Sequence, residues 1–368
     1  MLALYIHIPF CQAICTYCDF VKEVANDDKK SAYIKALQKE IISYQLASKN
    51  INTIYIGGGT PSYLPLDDLE SLLKTLHMEI NFKDVLEFTV ECNPNDVTID
   101  LATLLKKYGV NRISLGVQTF NEKQLKFLNR KHDNQDVLNA MKRFNEVGIT
   151  NISIDLIFSL INQTLDDVKK DLEFALSLNI KHISYYSLIL EEKTRLHHLV
   201  SKGKVSMNDS DLEAMMYEYI IDRMQHTPFH HYEISNFAMK GYESKHNLVY
   251  WQNDDYIGVG TGAHGKIHDV RYVNISHVKA YLNAIENHKS VVLETYPYEG
   301  LRDALLMGLR VLKGVDVASL NKTFNVDLFQ VYPKLNTFIH EGFLAYEEGY
   351  LKFTRKGIML GNYIFEIF

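Results

Sequence analysis

Leu2-Ala3-Leu4-Tyr5-Ile6-His7-Ile8-Pro9-Phe10 runs straight into Cys11-Gln12-Ala13-Ile14-Cys15-Thr16-Tyr17-Cys18, and this stretch decides the fold. An apolar run of strand length ends in a loop carrying three of the chain's four cysteines. In a reducing compartment such clustering reads as a metal site and not as a disulfide framework. The spacing Cys-x-x-x-Cys-x-x-Cys supplies three soft thiolates, enough for three irons of a four-iron cubane, with the last iron left open. Two plainer readings stay open on the residues alone. One is three unrelated buried cysteines. The other is zinc, although structural zinc takes four ligands in paired spacing and no second pair follows closely. Cys92 lies far off and reads as a small core residue.

Working outward, strand-like runs recur at 2–10, 53–57, 87–91, 112–117, 152–158 and 182–190. Helical patterns separate them, at 30–47, 66–77, 100–108, 134–146 and 165–178. That alternation predicts βαβ units and a parallel sheet, short of the eight strands of a closed barrel. Polar signals fall at or near the ends of the runs: Cys11, Gly57 to Thr60, Glu91, Gln118 and Asp155. Sheets of this type carry their chemistry at the C-terminal edges of their strands. After about residue 194 the pattern breaks. Residues 211–224 read as a helix, 231–237 as an extended run, and 250–265 as a Gly- and aromatic-rich loop packed on a site. From 301 the text changes again, with helical patterns at 301–312 and 331–341. Glu348–Gly349 then sits between two short apolar runs, a hairpin signal. The expected units are 1–195, 196–298 and 299–368.

The 368 residues are 46% hydrophobic and 23% charged, with a formal net charge of -6. That acidic balance disfavours nucleic acid or anionic lipid as a general partner. The longest apolar runs are too short to span a bilayer as a helix, which leaves peripheral membrane contact open. The N-terminus lacks the basic flank and small-residue cleavage site of a secretory signal, so a cytoplasmic location is expected.

The cysteine loop, in the context Tyr5-Ile-His-Ile-Pro-Phe-Cys11, resembles the radical S-adenosylmethionine (SAM) superfamily, and more narrowly the oxygen-independent coproporphyrinogen III oxidase group. The resemblance covers nearly the whole chain. It implies an α/β fold: a partial (β/α)6 radical SAM barrel, an α+β extension and a small C-terminal winged-helix-like domain. It also implies a [4Fe–4S] cluster on Cys11, Cys15 and Cys18, whose open iron chelates SAM and whose electron cleaves a carbon–sulfur bond of that cofactor. Gly57-Gly58-Gly59-Thr60-Pro61 resembles the segment that meets the methionine amino group. Tyr5, Tyr17, Glu91, Gln118, Arg130 and Asp155 resemble further cofactor contacts, Tyr17 beside the adenine. Singly, each could be an ordinary strand-end polar group. One departure stands out: where the family reads Gly-Leu-Pro-Gly-Gln-Thr, this chain has Ser159-Leu160-Ile161-Asn162-Gln163-Thr164. A turn built differently is expected there, and Ser159 is assigned no role.

Within the group two readings compete. One is an oxidase of porphyrin biosynthesis that decarboxylates propionates. The other is the HemW-type haem chaperone branch, which binds haem and passes it to an acceptor protein, one of the respiratory chain being a candidate. The oxidase carries a fourth cysteine where this chain has Phe20, and a long N-terminal extension for which Cys11 leaves no room. The chaperone branch carries His-Asn-x-x-Tyr-Trp, matched here by His246-Asn247-Leu248-Val249-Tyr250-Trp251 with the chain's one tryptophan. The resemblance implies a haem site at His246, Tyr250 and Trp251, because histidine can ligate haem iron and aromatics can cover the ring. From the residues alone, a hydrogen-bonded turn with Trp251 in the core is the plainer reading. His264 and His231 are secondary ligand candidates. A different radical SAM enzyme, and a zinc-bearing regulator that binds DNA through the C-terminal module, remain as further alternatives.

Overall fold

The computed structural model describes residues 1–368, the side chain of Asn362 excepted. Strands β1 (Leu2–Ile8), β2 (Thr53–Gly58), β3 (Glu87–Cys92), β4 (Arg112–Gln118), β5 (Ile152–Phe158) and β6 (His182–Ser187) pair in parallel and in chain order. Each is joined to the next through helices, so the expected partial (β/α)6 architecture is present. Side chains alternate across a strand, and here the two faces differ in chemistry. Leu4, Ile6 and Ile8 of β1, Ile54 and Ile56 of β2, and Ile113, Leu115 and Val117 of β4 are fully buried in one apolar cluster. Helical residues such as Leu37, Leu72 and Val137 complete that cluster. The alternate positions are Tyr5 and His7, Thr53 and Tyr55, Glu87 and Glu91, Arg112 and Ser114, Asp155, and Ser184 and Tyr186. They make a polar inner face. Local signals start the crossover helices: Asp133 and Asp136 form a capping box, as do Thr164 and Asp167.

The sheet continues past both edges of this unit to twelve strands. At one edge β7 (Phe229–Glu233) and β8 (Asn236–Met239) form a hairpin, with β8 antiparallel to β6. The single extended run expected at 231–237 is therefore split by a turn. At the other edge β9 (Asp255–Val259) lies parallel to β1, followed by β10 (His264–Ile267), β11 (Val270–Asn274) and β12 (Val292–Pro297). This corrects the loop expected at 250–265. Tyr250 and Trp251 end a helix, Lys245–Trp251, and β9 buries Ile257 and Val259.

The C-terminal module has its own core, built around Leu305, Leu309, Leu335 and Leu351. Helices Leu301–Gly308, Val317–Phe324 and Lys334–His340 pack on a three-stranded antiparallel sheet. Its strands are β13 (Val315–Asp316), β14 (Leu344–Glu347) and β15 (Tyr350–Phe353). Glu348 and Gly349, with φ of 52° and 85°, make the tight hairpin turn that the dipeptide signalled. The helix expected from 331 starts only at Lys334, because Pro333 sits at its cap. The module joins the main sheet by backbone bonds from Ile234 to Arg310 and from Leu312 to Tyr232. Among the described residues no helix is long and apolar enough to cross a membrane.

Candidate cofactor site

The cysteine loop leaves the C-terminal end of β1 and is tied back at several points. The Cys11 N–H donates to the Glu23 carbonyl (3.1 Å) and the Thr16 N–H to Leu128 (3.2 Å). The Asn129 amide holds the Ile14 carbonyl at 2.9 Å. Arg130 is half-buried, donates to Asn93 Oδ1 (2.7 Å) and the Gly116 carbonyl, and brings Nη1 to 3.7 Å from Cys15 Sγ. A loop held this way presents its thiols without first having to be ordered.

The end of β2 shows why glycines stand there. Gly58 has φ of 109°, and a Cβ on it would lie 2.4 Å from the His7 ring. A Cβ on Gly59 would lie 2.7 Å from the Ile8 carbonyl. The strand end therefore lies directly against β1, and its backbone reaches the cavity. The Gly58 N–H donates to Glu91 Oε2 at 3.0 Å, and the Tyr55 hydroxyl to Glu91 Oε1 at 2.7 Å. Burial pushes the Glu91 carboxyl up to about 7, opposed by those two hydrogen bonds and helped by the nearby Asp155. Burial also raises Asp155, which accepts from the Ser114 hydroxyl at 2.7 Å.

One cavity of about 390 Å³ is lined by Cys11, Cys15, Cys18, Tyr17, Gly58, Gly59, Thr60, Glu91, Gln118, Arg130 and Asp155. The structure thus brings together every expected cluster and SAM residue except Tyr5. The Tyr5 hydroxyl is bonded to His7 Nδ1 (3.0 Å), so Tyr5 supports the floor rather than lining the wall. Sequence reading missed Arg112, Ser114, Ser184, Tyr186 and Asn247, which also line the cavity. The first four share the inward face of β4 and β6, so the period of two was the available signal. Asn247 was marked as part of the His-Asn-x-x-Tyr-Trp motif, but not as a residue of this cavity.

The residues fit a cubane cluster. Three thiols converge on the cavity from one pinned loop, and two carboxylates reach it from β3 and β5. Among the described residues no group of three or more His, Cys, Asp or Glu is set to hold a single metal ion. A cubane spreads its thiolates over separate irons, so it does not need that tight convergence. Burial pushes the Cys18 thiol up to about 11, and ligation would have to displace its proton.

The helix Lys245–Trp251 closes the lower end of the inner face. The Glu87 carboxylate accepts from the N–H groups of Lys245 and His246, each at 3.0 Å, at the positive end of the helix. His246 is 1% exposed, with Nδ1 at 2.9 Å from Thr53 Oγ1 and Nε2 at 2.7 Å from the Tyr250 hydroxyl. Its ring centroid lies 5.0 Å from that of Tyr55, which in turn holds Glu91. Both nitrogens of His246 are occupied, so iron ligation would require it to release Thr53 or Tyr250. Of the secondary candidates, His231 donates to the Ile234 carbonyl at 3.1 Å, whereas His264 is exposed.

At the Ser159 turn the backbone departs from expectation. Ser159 and Asn162 stand where the family pattern has glycine, and both adopt the left-handed conformation (φ 59° and 57°). The sequence changes, yet each position keeps a φ that favours glycine.

Residues 5–175 match the Radical SAM superfamily and residues 297–360 the HemN C-terminal domain. Over 366 residues the chain is 39% identical to a protein of Lactococcus lactis subsp. lactis (strain IL1403) named Heme chaperone HemW, covering 99% of this chain and 96% of that one. A Bacillus subtilis (strain 168) protein of the same name is 38% identical, covering 100% of this chain and 99% of the other. Among solved structures, coproporphyrinogen III oxidase (HemN) from Escherichia coli superposes with a TM-score of 0.84 at 21% identity, covering 100% of this chain and 89% of that one. At that identity the superposition speaks for the fold, while the full-length kinship speaks for descent. The chain belongs to the HemW haem-chaperone family within the radical SAM superfamily.

Proposed function

We propose that this protein binds haem and passes it to an acceptor protein in the cytoplasm, while a [4Fe–4S] cluster and SAM occupy the barrel. In this reading Cys11, Cys15 and Cys18 hold the cluster. When bound, the cluster and SAM supply one-electron chemistry. The chain's own residues position them. Glu91, held by Tyr55 and the Gly58 N–H, accepts the methionine ammonium. Arg130 and Gln118 face the opposite side of the same cavity. Asp155 supplies a second acceptor, and Tyr17 packs beside the adenine. The observation that carries the carrier reading over the oxidase reading is Phe20. It stands at the mouth of the cavity, 59% exposed, where the oxidase pattern has a cysteine. The relatives named as haem chaperones support the same choice.

The test is paired. The protein is reconstituted anaerobically with iron and sulfide, then titrated with haem. In parallel it is incubated with coproporphyrinogen III, SAM and a reductant. Saturable haem binding, haem transfer to an apo-acceptor and no decarboxylated product are expected. Decarboxylated product without defined haem stoichiometry would return the chain to the oxidase class. The cluster and SAM are expected to control transfer, so replacing the three cysteines by serine should change the transfer rate to the acceptor.

A further inference from the structure

A second cleft, of about 840 Å³, opens where the motif helix ends. Trp251 lines it from that helix, Lys266 and His268 from the β10–β11 hairpin, and Lys313, Phe324 and Tyr350 from the C-terminal module. Its volume lies in the range of small-molecule and cofactor pockets, about 300–1,000 Å³. The barrel cavity, at about 390 Å³, has to house both cluster and SAM under the proposed function, which leaves no room there for a macrocycle.

Three features of the cleft point to a flat, metal-bearing ligand with polar edges. First, Trp251 Nε1 is buried and has no partner, although a buried indole N–H ordinarily finds one. The Arg310 guanidinium lies 4.6 Å over the indole ring, so both carry donor chemistry to this end of the motif helix. Second, His268 is mostly exposed and held in place by Asp255. Its N–H donates to Asp255 Oδ1 at 2.9 Å, and its Nδ1 lies 3.3 Å from Oδ2. A carboxylate on one ring nitrogen is the arrangement that orients the other toward a metal. His246, by contrast, has neither nitrogen free. Third, ionised groups ring the cleft: the ammonium groups of Lys266 and Lys313 and the carboxylates of Asp255, Asp269 and Asp316. Lys266 shares its charge with Asp255 (3.3 Å) and the Asn253 carbonyl (2.9 Å), while Lys313 lies over the Tyr350 ring at 4.7 Å.

We propose that the haem seats in this cleft, with His268 Nε2 ligating the iron, Trp251, Phe324 and Tyr350 covering the macrocycle, and Lys266 and Lys313 facing the propionates. The proposal rests on the haem-carrier reading. It also gives the His-Asn-x-x-Tyr-Trp motif a divided task. His246 and Tyr250 close the barrel floor, and only Trp251 reaches the haem. The route from haem to SAM would then run from Trp251 along one short helix to His246, Tyr55 and Glu91.

The test titrates the full-length, reconstituted protein with ferric haem and follows the Soret band. His268→Ala and Thr323→Trp are compared with the parent; Thr323 is an exposed residue of the cleft wall, so the bulky replacement fills the cleft without touching the core. Circular dichroism and SAM affinity, both remote from the cleft, report folding. Each variant is expected to keep its fold and SAM affinity and to weaken haem binding by about tenfold or more. His268→Ala should also lose the Soret position of histidine-ligated haem, and His268→Met should restore binding with a shifted band. If the parent binds haem and either variant matches it in affinity and spectrum, the site is overturned while the carrier reading stands. If the parent itself binds no haem saturably, the carrier reading fails.

Discussion

Glu91 shows how one side chain can carry a pH response. Its carboxyl sits at about 7 because burial outweighs the hydrogen bonds from Tyr55 and Gly58. Folding therefore pays an ionisation cost that grows above its ordinary value of 4.5 and is complete above about 7. An ammonium ligand favours the charged form, so SAM affinity should fall as pH drops below about 7, by at most about tenfold per unit. Isothermal titration calorimetry across that range checks it. Since the SAM amine titrates nearby, Glu91→Gln is the control, and a slope unchanged in the variant would remove Glu91 from the account. Ser159 makes the opposite case. It holds φ of 59° and buries a hydroxyl with no partner. Ser159→Gly should stabilise the protein by about 0.5–1 kcal/mol, since relief of strain and of a buried polar group exceeds the added freedom of the unfolded chain. A lower melting temperature in the variant would show that the turn needs the serine.

At the scale of elements, the motif helix depends on a strand far away in sequence. Its seven residues are too few to be stable alone. Glu87 at the start of β3 receives two of its first N–H groups, and Thr53 on β2 holds His246. Glu87→Ala leaves those buried donors unpaired and should cost about 2–3 kcal/mol. Amide exchange in residues 245–251 should accelerate more than in β4. Equal protection in variant and parent would mean that packing, not this carboxylate, holds the helix. His246→Ala is a poor probe of haem ligation for the same reason: it strips the partners from Thr53 and Tyr250 before any haem is added.

For the whole molecule, several buried histidines set acid stability. Burial lowers His7 and His231 to about 4, and His132 and His246 to about 3. Folded pKa values below the unfolded 6.5 mean that the unfolded chain takes up protons first. Their stability is present in full above about 6.5 and is lost as pH falls, by up to about 1.4 kcal/mol per unit for each group. Buried carboxyls act in the opposite sense: Glu91, at about 7, Asp171, at about 6, and Glu40, Asp96, Asp155 and Glu233, all raised by burial. The histidine part is read by difference: on going from about pH 7.5 to 5.5, His132→Gln should gain melting temperature relative to the parent. A constant difference between the two proteins would remove His132 from the account.

The six inner strands, their crossover helices and the C-terminal hairpin were legible in the residues because each depends on local pattern. Period-two alternation writes both faces of a strand, as in β5, where the expected bounds 152–158 are those observed. Caps such as Asp133 write helix starts. The cysteine spacing, the glycines at the end of β2 and the strand-end carboxylates were legible for the same reason. What the residues could not specify is pairing at a distance. Nothing within Asp255–Val259 says that it lies beside β1, because parallel pairing carries no turn signal to mark its partner. Nor does His246 announce Thr53, 193 positions away, or Trp251 a cleft shared with the C-terminal module. Local chemistry by itself determined which residues can hold a cluster. Only the tertiary structure decided that the histidine of the motif is sealed in the floor of the barrel, since burial and hydrogen-bond partners belong to the packed chain.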